Sequence, residues 1–114
     1  MSAGKLNILI EQNATFNKVL TIYSTGTTPL NLTGKTLRGQ IRYNMQDAEP
    51  AATFTFTPAN QLTDPGVCSM LIPAGVTKNL KQSKGYYDVE LVDGGTVTRL
   101  LEGQVFISLG ATQS

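Results

Sequence analysis

The sequence predicts an all-β fold built from two packed sheets, and three observations support this prediction. Apolar and polar residues alternate along most of the 114-residue chain, as expected for strands with one buried and one solvated face. Turn-forming residues interrupt the alternation roughly every 8–12 positions, a spacing typical of β-sandwiches. The segment 85–107 has two alternating stretches around Asp93-Gly94-Gly95, residues that accept positive φ in a tight hairpin.

The first part of the chain predicts two strands, at residues 6–11 and 15–23. Lys18 interrupts the apolar face of the second strand, which predicts an edge position or a local bulge. Residues 24–29 are rich in Ser, Thr, Gly and Pro, and we expect a loop there because Gly and Pro interrupt strand ladders.

The clearest alternation begins at residue 36. Its apolar side carries, in order, Leu37, Gly39, Ile41, Tyr43 and Met45. The other side includes Arg38 and Arg42, which we expect to face solvent. Because Gly39 lies on the apolar side without a side chain, a large neighbour or a backbone is predicted to pack against it.

Two shorter strands are predicted at residues 53–57 and 67–72, separated by the turn residues Asp64-Pro65-Gly66. Cys68 lies in the second strand, in phase with its apolar residues, so we expect it to be buried as a small hydrophobe. The segment 73–80 lacks strand alternation and predicts one or two helical turns.

Together these elements predict a single immunoglobulin-like antiparallel β-sandwich of about seven or eight strands with one short helical turn. A sandwich is favoured over a barrel. The length suits one domain spanning residues 1–114, with an ordered core at about 5–110 and a mobile polar tail at 111–114.

Composition excludes several classes of partner. Charged residues make up 15% of the chain, against about 25% in average soluble proteins. The net charge of +1 predicts no general attraction for nucleic acid or anionic membranes.

A single cysteine excludes an internal disulfide, and no apolar run reaches the length of a signal peptide or a membrane span. We therefore expect synthesis in the cytoplasm without export.

The residues that carry chemistry are few. Histidine is absent, which excludes Ser-His-Asp and Cys-His catalytic sites and ordinary zinc sites. No Gly-rich phosphate loop is present, and no cofactor is predicted. Asp88 and Glu90 share one strand face, with Glu102 as a possible cross-strand neighbour. These carboxylates either pair with Lys and Arg or, less expectedly, form an acid-base or calcium site. A basic series, Lys78, Lys81 and Lys84, is either a solvated helical face or a contact for phosphate or an acidic partner.

The last strand carries apolar residues on both faces. Period two places Leu100 and Phe106 opposite Leu101, Val105 and Ile107. In a two-layer sandwich, an apolar outer face must be covered by the terminal segments or by another protein subunit. Both explanations stay open at this point.

Four segments carry a family resemblance. They are residues 30–42 (LNLTGKTLRGQIR), 52–54 (ATF), 85–91 (GYYDVEL) and 96–103 (TVTRLLEG). In this order they resemble small β-sandwich proteins of tailed bacteriophages and are similar to the amino-terminal domain of phage baseplate upper proteins. The resemblance runs from residue 6 to residue 107. It implies a non-enzymatic virion protein, made in the host cytoplasm and present in multiple copies in a symmetric assembly with other virion proteins.

The favoured hypothesis is a tail-associated or baseplate-associated adaptor that attaches a fibre or another tail protein. A capsid decoration (cement) protein of the same fold is the nearest alternative. For the adaptor we predict an interface formed by Leu100 and Phe106, with Arg38 and Arg42 as polar rim contacts.

Two further classes remain as alternatives. A carbohydrate-binding or receptor-binding module would use Tyr23, Tyr86 and the loops at 24–29 and 46–51. An enzyme would depend on the three carboxylates named above. Neither class has a motif of its own in the sequence.

Overall fold

A computed structural model of the chain describes residues 4–25, 28–44 and 46–110. In chain order the strands are β1 (Gly4–Lys5), β2 (Ile8–Glu11), β3 (Phe16–Thr21), β4 (Tyr23–Thr25), β5 (Thr28–Pro29), β6 (Thr36–Arg42), β7 (Ala52–Thr53), β8 (Thr55–Pro58), β9 (Val67–Ile72), β10 (Lys84–Asp93) and β11 (Thr96–Ser108), with one helix, α1 (Ala74–Thr77), between β9 and β10. The predictions for Met45 and for the tail at 111–114 lie outside the described residues.

Nine of the eleven described strands form two packed sheets, which confirms the predicted β-sandwich, and β4 and β5 form a separate two-stranded sheet. The larger sheet has the order β1-β11-β10-β6-β7, with β2 also paired to β11, and the smaller has the order β3-β9-β8. In immunoglobulin lettering the smaller sheet corresponds to strands B, E and D, and β11, β10, β6 and β7 correspond to G, F, C and C′. One edge departs from the antiparallel prediction, because β1 and β2 enter along the free side of β11 in the same direction as β11.

The described chain has eleven strands instead of seven or eight because several predicted strands are divided. The predicted loop at 24–29 contains a small hairpin of β4 and β5. The predicted strand at 53–57 changes sheets: β7 pairs with β6, and β8 pairs with β9. Phe54 lies between them and donates its N–H to the carbonyl of Gly39 at 3.0 Å.

Aromatic rings fill the space between the sheets. The Phe54 ring lies 6.2 Å from those of Phe16 and Phe56 and 5.9 Å from that of Tyr87. Gly39 permits this packing, because a Cβ there would lie 3.2 Å from Phe54 and 2.7 Å from the backbone oxygen of Asp88. The prediction of a large neighbour at Gly39 is therefore confirmed.

Several local predictions are also confirmed. Cys68 is 1% exposed, inside the core. Lys18 lies on an edge strand, because β3 pairs with β9 alone among the described strands. Gly94, at the centre of the β10–β11 hairpin, has a φ of 62°, which a residue with a side chain rarely adopts.

The short helix differs in one respect from its prediction. Helix α1 ends at Thr77, whose buried hydroxyl donates to the carbonyl of Ala14 at 2.7 Å. The three lysines therefore do not share a helical face. Lys81 instead donates to the carbonyl of Lys78 at 3.1 Å, and Lys84 begins β10.

Candidate functional site

The outer face of the larger sheet, whose side chains point away from the smaller sheet, concentrates the charged residues. Register places Glu102 beside Asp88, and Asp88 beside Gln40, in one row across three strands. The ion pairs on this face are Arg38 with Glu90 (2.8 Å), Arg99 with Asp88 (3.6 Å), Arg99 with Glu102 (3.8 Å) and Lys5 with Glu102 (3.5 Å). The predicted cross-strand carboxylates are thus brought together, each beside a basic residue.

Asp88 lies at the centre of this face. It lines three shallow depressions, of about 310, 300 and 370 Å³. Burial raises the pKa of the Asp88 carboxyl; Arg99 opposes this effect, and the nearby Glu90 and Glu102 add to it. The protonated carboxyl is therefore favoured more here than in free solution.

The geometry indicates an ion-pair ladder. The three carboxylates alternate with arginines across the strands, so their charges are compensated within the sheet. No group of three or more Asp, Glu or Cys side chains within the described residues is arranged to hold a metal ion.

Arg38 and Arg42 both lie on the outer face, in the orientation predicted. Arg42 is held by two hydrogen bonds, to the carbonyl of Asp47 at 2.8 Å and to Oε1 of Gln40 at 2.9 Å. Its register partner on β10 is Tyr86. Arg42 therefore lies close to the β2 end of the face, whereas Arg38 lies toward the hairpin end.

An apolar pair occupies the β2 end of the outer face. Phe106 is 41% exposed and Leu9 is 60% exposed, and the two are direct register partners in the parallel pairing of β2 with β11. Lys84 flanks Phe106 on the other side. We call Leu9 and Phe106 the outer apolar pair. Leu9 was missed in the sequence, although it lies opposite the buried Ile8 and Ile10 just as Phe106 lies opposite its own buried neighbours.

Leu100 does not belong to this surface, and its predicted position was wrong. Val89 of β10 lies opposite Leu101 of β11, but the next residue, Glu90, lies opposite Arg99. Leu100 is skipped and is therefore the extra residue of a β-bulge. The bulge turns Leu100 inward, where it packs partly buried against a small core cluster that includes Cys68. Its predicted role in an interface stays untested.

A second surface feature lies at the open side of the sandwich, between β1 and β11 of one sheet and β3 of the other. This edge groove has a volume of about 290 Å³. It is lined by Gly4, Leu6, Leu20, Thr21, Ile22, Tyr23, Val89, Leu100 and Leu101, none of which is charged. Because Tyr23 lines this groove and Tyr86 lines the outer face, the two tyrosines named for a carbohydrate-binding or receptor-binding module do not share a depression.

No protein-family model and no curated protein matches the chain. Among the described residues, no helix has the length and apolar character needed to cross a bilayer.

Proposed function

We propose that the chain is a non-enzymatic structural component of a tailed-bacteriophage virion, an adaptor of the tail or baseplate that attaches a fibre or another tail protein. The observation that supports this proposal is the outer apolar pair. Two large apolar side chains lie side by side on the outer face of the sheet, at 41% and 60% exposure, with no element of the described chain covering them. Such a pair is the kind of feature that protein–protein contacts bury.

The surroundings of the pair suit a protein interface. Aromatic residues and arginines are enriched at interface cores, and Tyr86 and Arg42 lie in the row next to Phe106. The guanidinium of Arg42 is already fixed by two hydrogen bonds, so little side-chain entropy is lost when a partner contacts it. Phe106 would be the buried anchor and Arg42 a rim contact.

The ion pairs of the outer-face carboxylates are also consistent with a structural role. Asp88, Glu90 and Glu102 each lie within 4 Å of a basic side chain. Compensated charges of this kind present a defined pattern of positive and negative groups, which favours a partner of complementary charge. A mixed-charge face with an apolar end is a suitable docking surface for a neighbouring protein in a particle.

Two variants test the surface. Phe106→Asp should remain folded, because the ring is partly in solvent, but should be excluded from particles. Forcing the charge into a desolvated contact costs about 2–5 kcal/mol. Val97→Asp is the matched control, since Val97 is 48% exposed on the same strand and lies at its far end. Both proteins are checked by thermal unfolding and then supplied during infection in place of the native chain.

Incorporation is measured in purified particles, and immunogold labelling locates the native protein. Exclusion of Phe106→Asp with normal incorporation of Val97→Asp supports the interface. Equal incorporation of the two variants overturns it. Label on the head shell would replace the adaptor with the cement alternative, and absence of the chain from particles would overturn a virion role altogether.

A further inference from the structure

The longest free edge of the smaller sheet belongs to β3, whose one paired neighbour among the described strands is β9. The N–H of Ile22 donates to the carbonyl of Gly66 at 2.8 Å, next to the last register pair of these strands. In an antiparallel pair, hydrogen-bonded positions alternate along each strand. The backbone groups of Asn17, Val19 and Thr21 therefore point away from β9, toward the open edge.

The edge groove lies directly beside these backbone groups. Leu20 and Thr21 of β3 form one wall, and Leu6, Leu100 and Leu101 of the other sheet contribute to the opposite wall. A strand added to β3 would direct every second side chain into the gap between the sheets, because side chains alternate between faces. The edge supplies backbone hydrogen bonds and the groove supplies an apolar pocket, which together are the requirements of strand addition.

The charges at this edge define the segment that fits. The groove lining is uncharged, so a charged side chain inserted there would find no partner. Lys18 lies on the inner side of β3, partly buried, and no ion pair to it is found within the described residues. An acidic residue of the added strand opposite Lys18 would supply the missing charge.

We propose that β3 and the edge groove bind an extended segment of a partner polypeptide, apolar at alternate positions and acidic opposite Lys18, which adds as a strand to the smaller sheet. This inference does not depend on the outer apolar pair or on a virion role.

A second copy of the chain fits this edge poorly. Two β3 strands can match their outward backbone groups in an antiparallel pairing centred on Val19 or on Lys18. In the first, each Lys18 lies opposite Leu20 of the partner copy, beside its uncharged groove. In the second, the two Lys18 side chains lie opposite each other and repel. The edge therefore selects a different polypeptide, and self-association is the competing outcome of the test.

The direct test uses two synthetic peptides, Thr-Leu-Thr-Leu-Thr-Glu-Thr and its reverse, which cover antiparallel and parallel addition. Their controls carry Lys in place of each Leu. Amide hydrogen exchange is followed residue by residue in the labelled domain. One peptide should slow exchange at Asn17, Val19 and Thr21, whereas the amides of Lys18 and Leu20, which already face β9, should change little.

Variants at Val19 test whether the peptide binds through hydrogen bonds to the backbone of β3. Val19→Pro removes one outward N–H, and proline is tolerated on an edge strand where that group faces solvent. It should weaken peptide binding by about fivefold to tenfold, the value of one hydrogen bond. Val19→Thr keeps the N–H and should bind like the native domain.

Three results would overturn the proposal. The first is that neither peptide slows exchange at the three outward amides. The second is equal peptide binding by Val19→Pro and Val19→Thr. The third is a concentration-dependent dimer in sedimentation that Val19→Pro abolishes, which would identify a second copy as the occupant. Peptide binding by Phe106→Asp should be unchanged, so failure here and failure of the proposed function are distinguishable.

Discussion

Gly103→Ala is predicted to displace the segment between β1 and β2 from β11. Gly103 lies beneath the carbonyl oxygen of Leu6, and a Cβ at this position would overlap that oxygen. The clash is with backbone, so a change of side-chain rotamer cannot relieve it. The segment around Leu6 and Asn7 would have to move away from β11.

The magnitude follows from the hydrogen bonds that this movement breaks. They are Leu6 N–H to the Glu102 carbonyl (3.0 Å), the Tyr87 hydroxyl to the Leu6 carbonyl (2.6 Å) and Gln104 N–H to Oδ1 of Asn7 (3.0 Å). With a net value of about 0.5–1.5 kcal/mol for each of the three bonds, the expected loss is about 1.5–4.5 kcal/mol. Alanine's lower backbone entropy in the unfolded chain offsets part of this loss.

The assay is urea denaturation of the purified domain, compared with Gly95→Ala. A Cβ at Gly95 meets no atom within 4 Å, so this control should change the free energy of unfolding by less than about 0.5 kcal/mol. Amide exchange should show faster exchange at Leu6 and Gln104 in Gly103→Ala. If the two variants are equally stable, the close approach of Leu6 to Gly103 is refuted.

Three other predictions concern titratable side chains. Tyr87→Phe should cost about 1–3 kcal/mol in urea denaturation, because it leaves the Leu6 carbonyl without its hydroxyl donor, and a loss below 0.5 kcal/mol would contradict this prediction. Burial raises the pKa of Asp88, so ionisation of this carboxyl at higher pH destabilises the folded native chain, whereas Asp88→Asn has no charge to bury. The free energy of unfolding of Asp88→Asn relative to that of the native chain should therefore increase as pH rises from about 3 past the raised pKa, and a relative decrease would contradict the burial effect. Burial also raises the pKa of the Cys68 thiol, so a thiol reagent should label it only in denaturant; rapid labelling of the folded domain would show that it is accessible.

Local patterns predicted the centre of the sandwich well. Strands β6 and β9 and the β10–β11 hairpin each have clear alternation and turn residues at their ends, and these signals are contained in short stretches of sequence. Gly39 was correctly interpreted because a missing side chain on an apolar face has few physical explanations. The ion pairs on the outer face followed from the same alternation.

The predictions that failed depended on distant contacts. Leu100 and Leu101 are adjacent apolar residues, and alternation alone does not show that a bulge lets both of them face inward. The exposed Leu9 becomes part of an apolar surface only because β2 pairs in parallel with β11 and places it beside Phe106. This contact joins residues near the two ends of the chain and leaves no local pattern in the sequence. The change of sheets at Phe54 could not be predicted, because a strand with alternating apolar and polar residues can belong to either of the two sheets.

The parallel pairing of β2 with β11 has a mechanical consequence. The two strands run side by side in the same direction near opposite ends of the chain, from Ile8 beside Val105 to Glu11 beside Ser108. Tension that pulls those ends apart would slide one strand along the other, so their hydrogen bonds would carry the force simultaneously and would not open one by one. A domain connected in this way should hold its shape when force is transmitted through it.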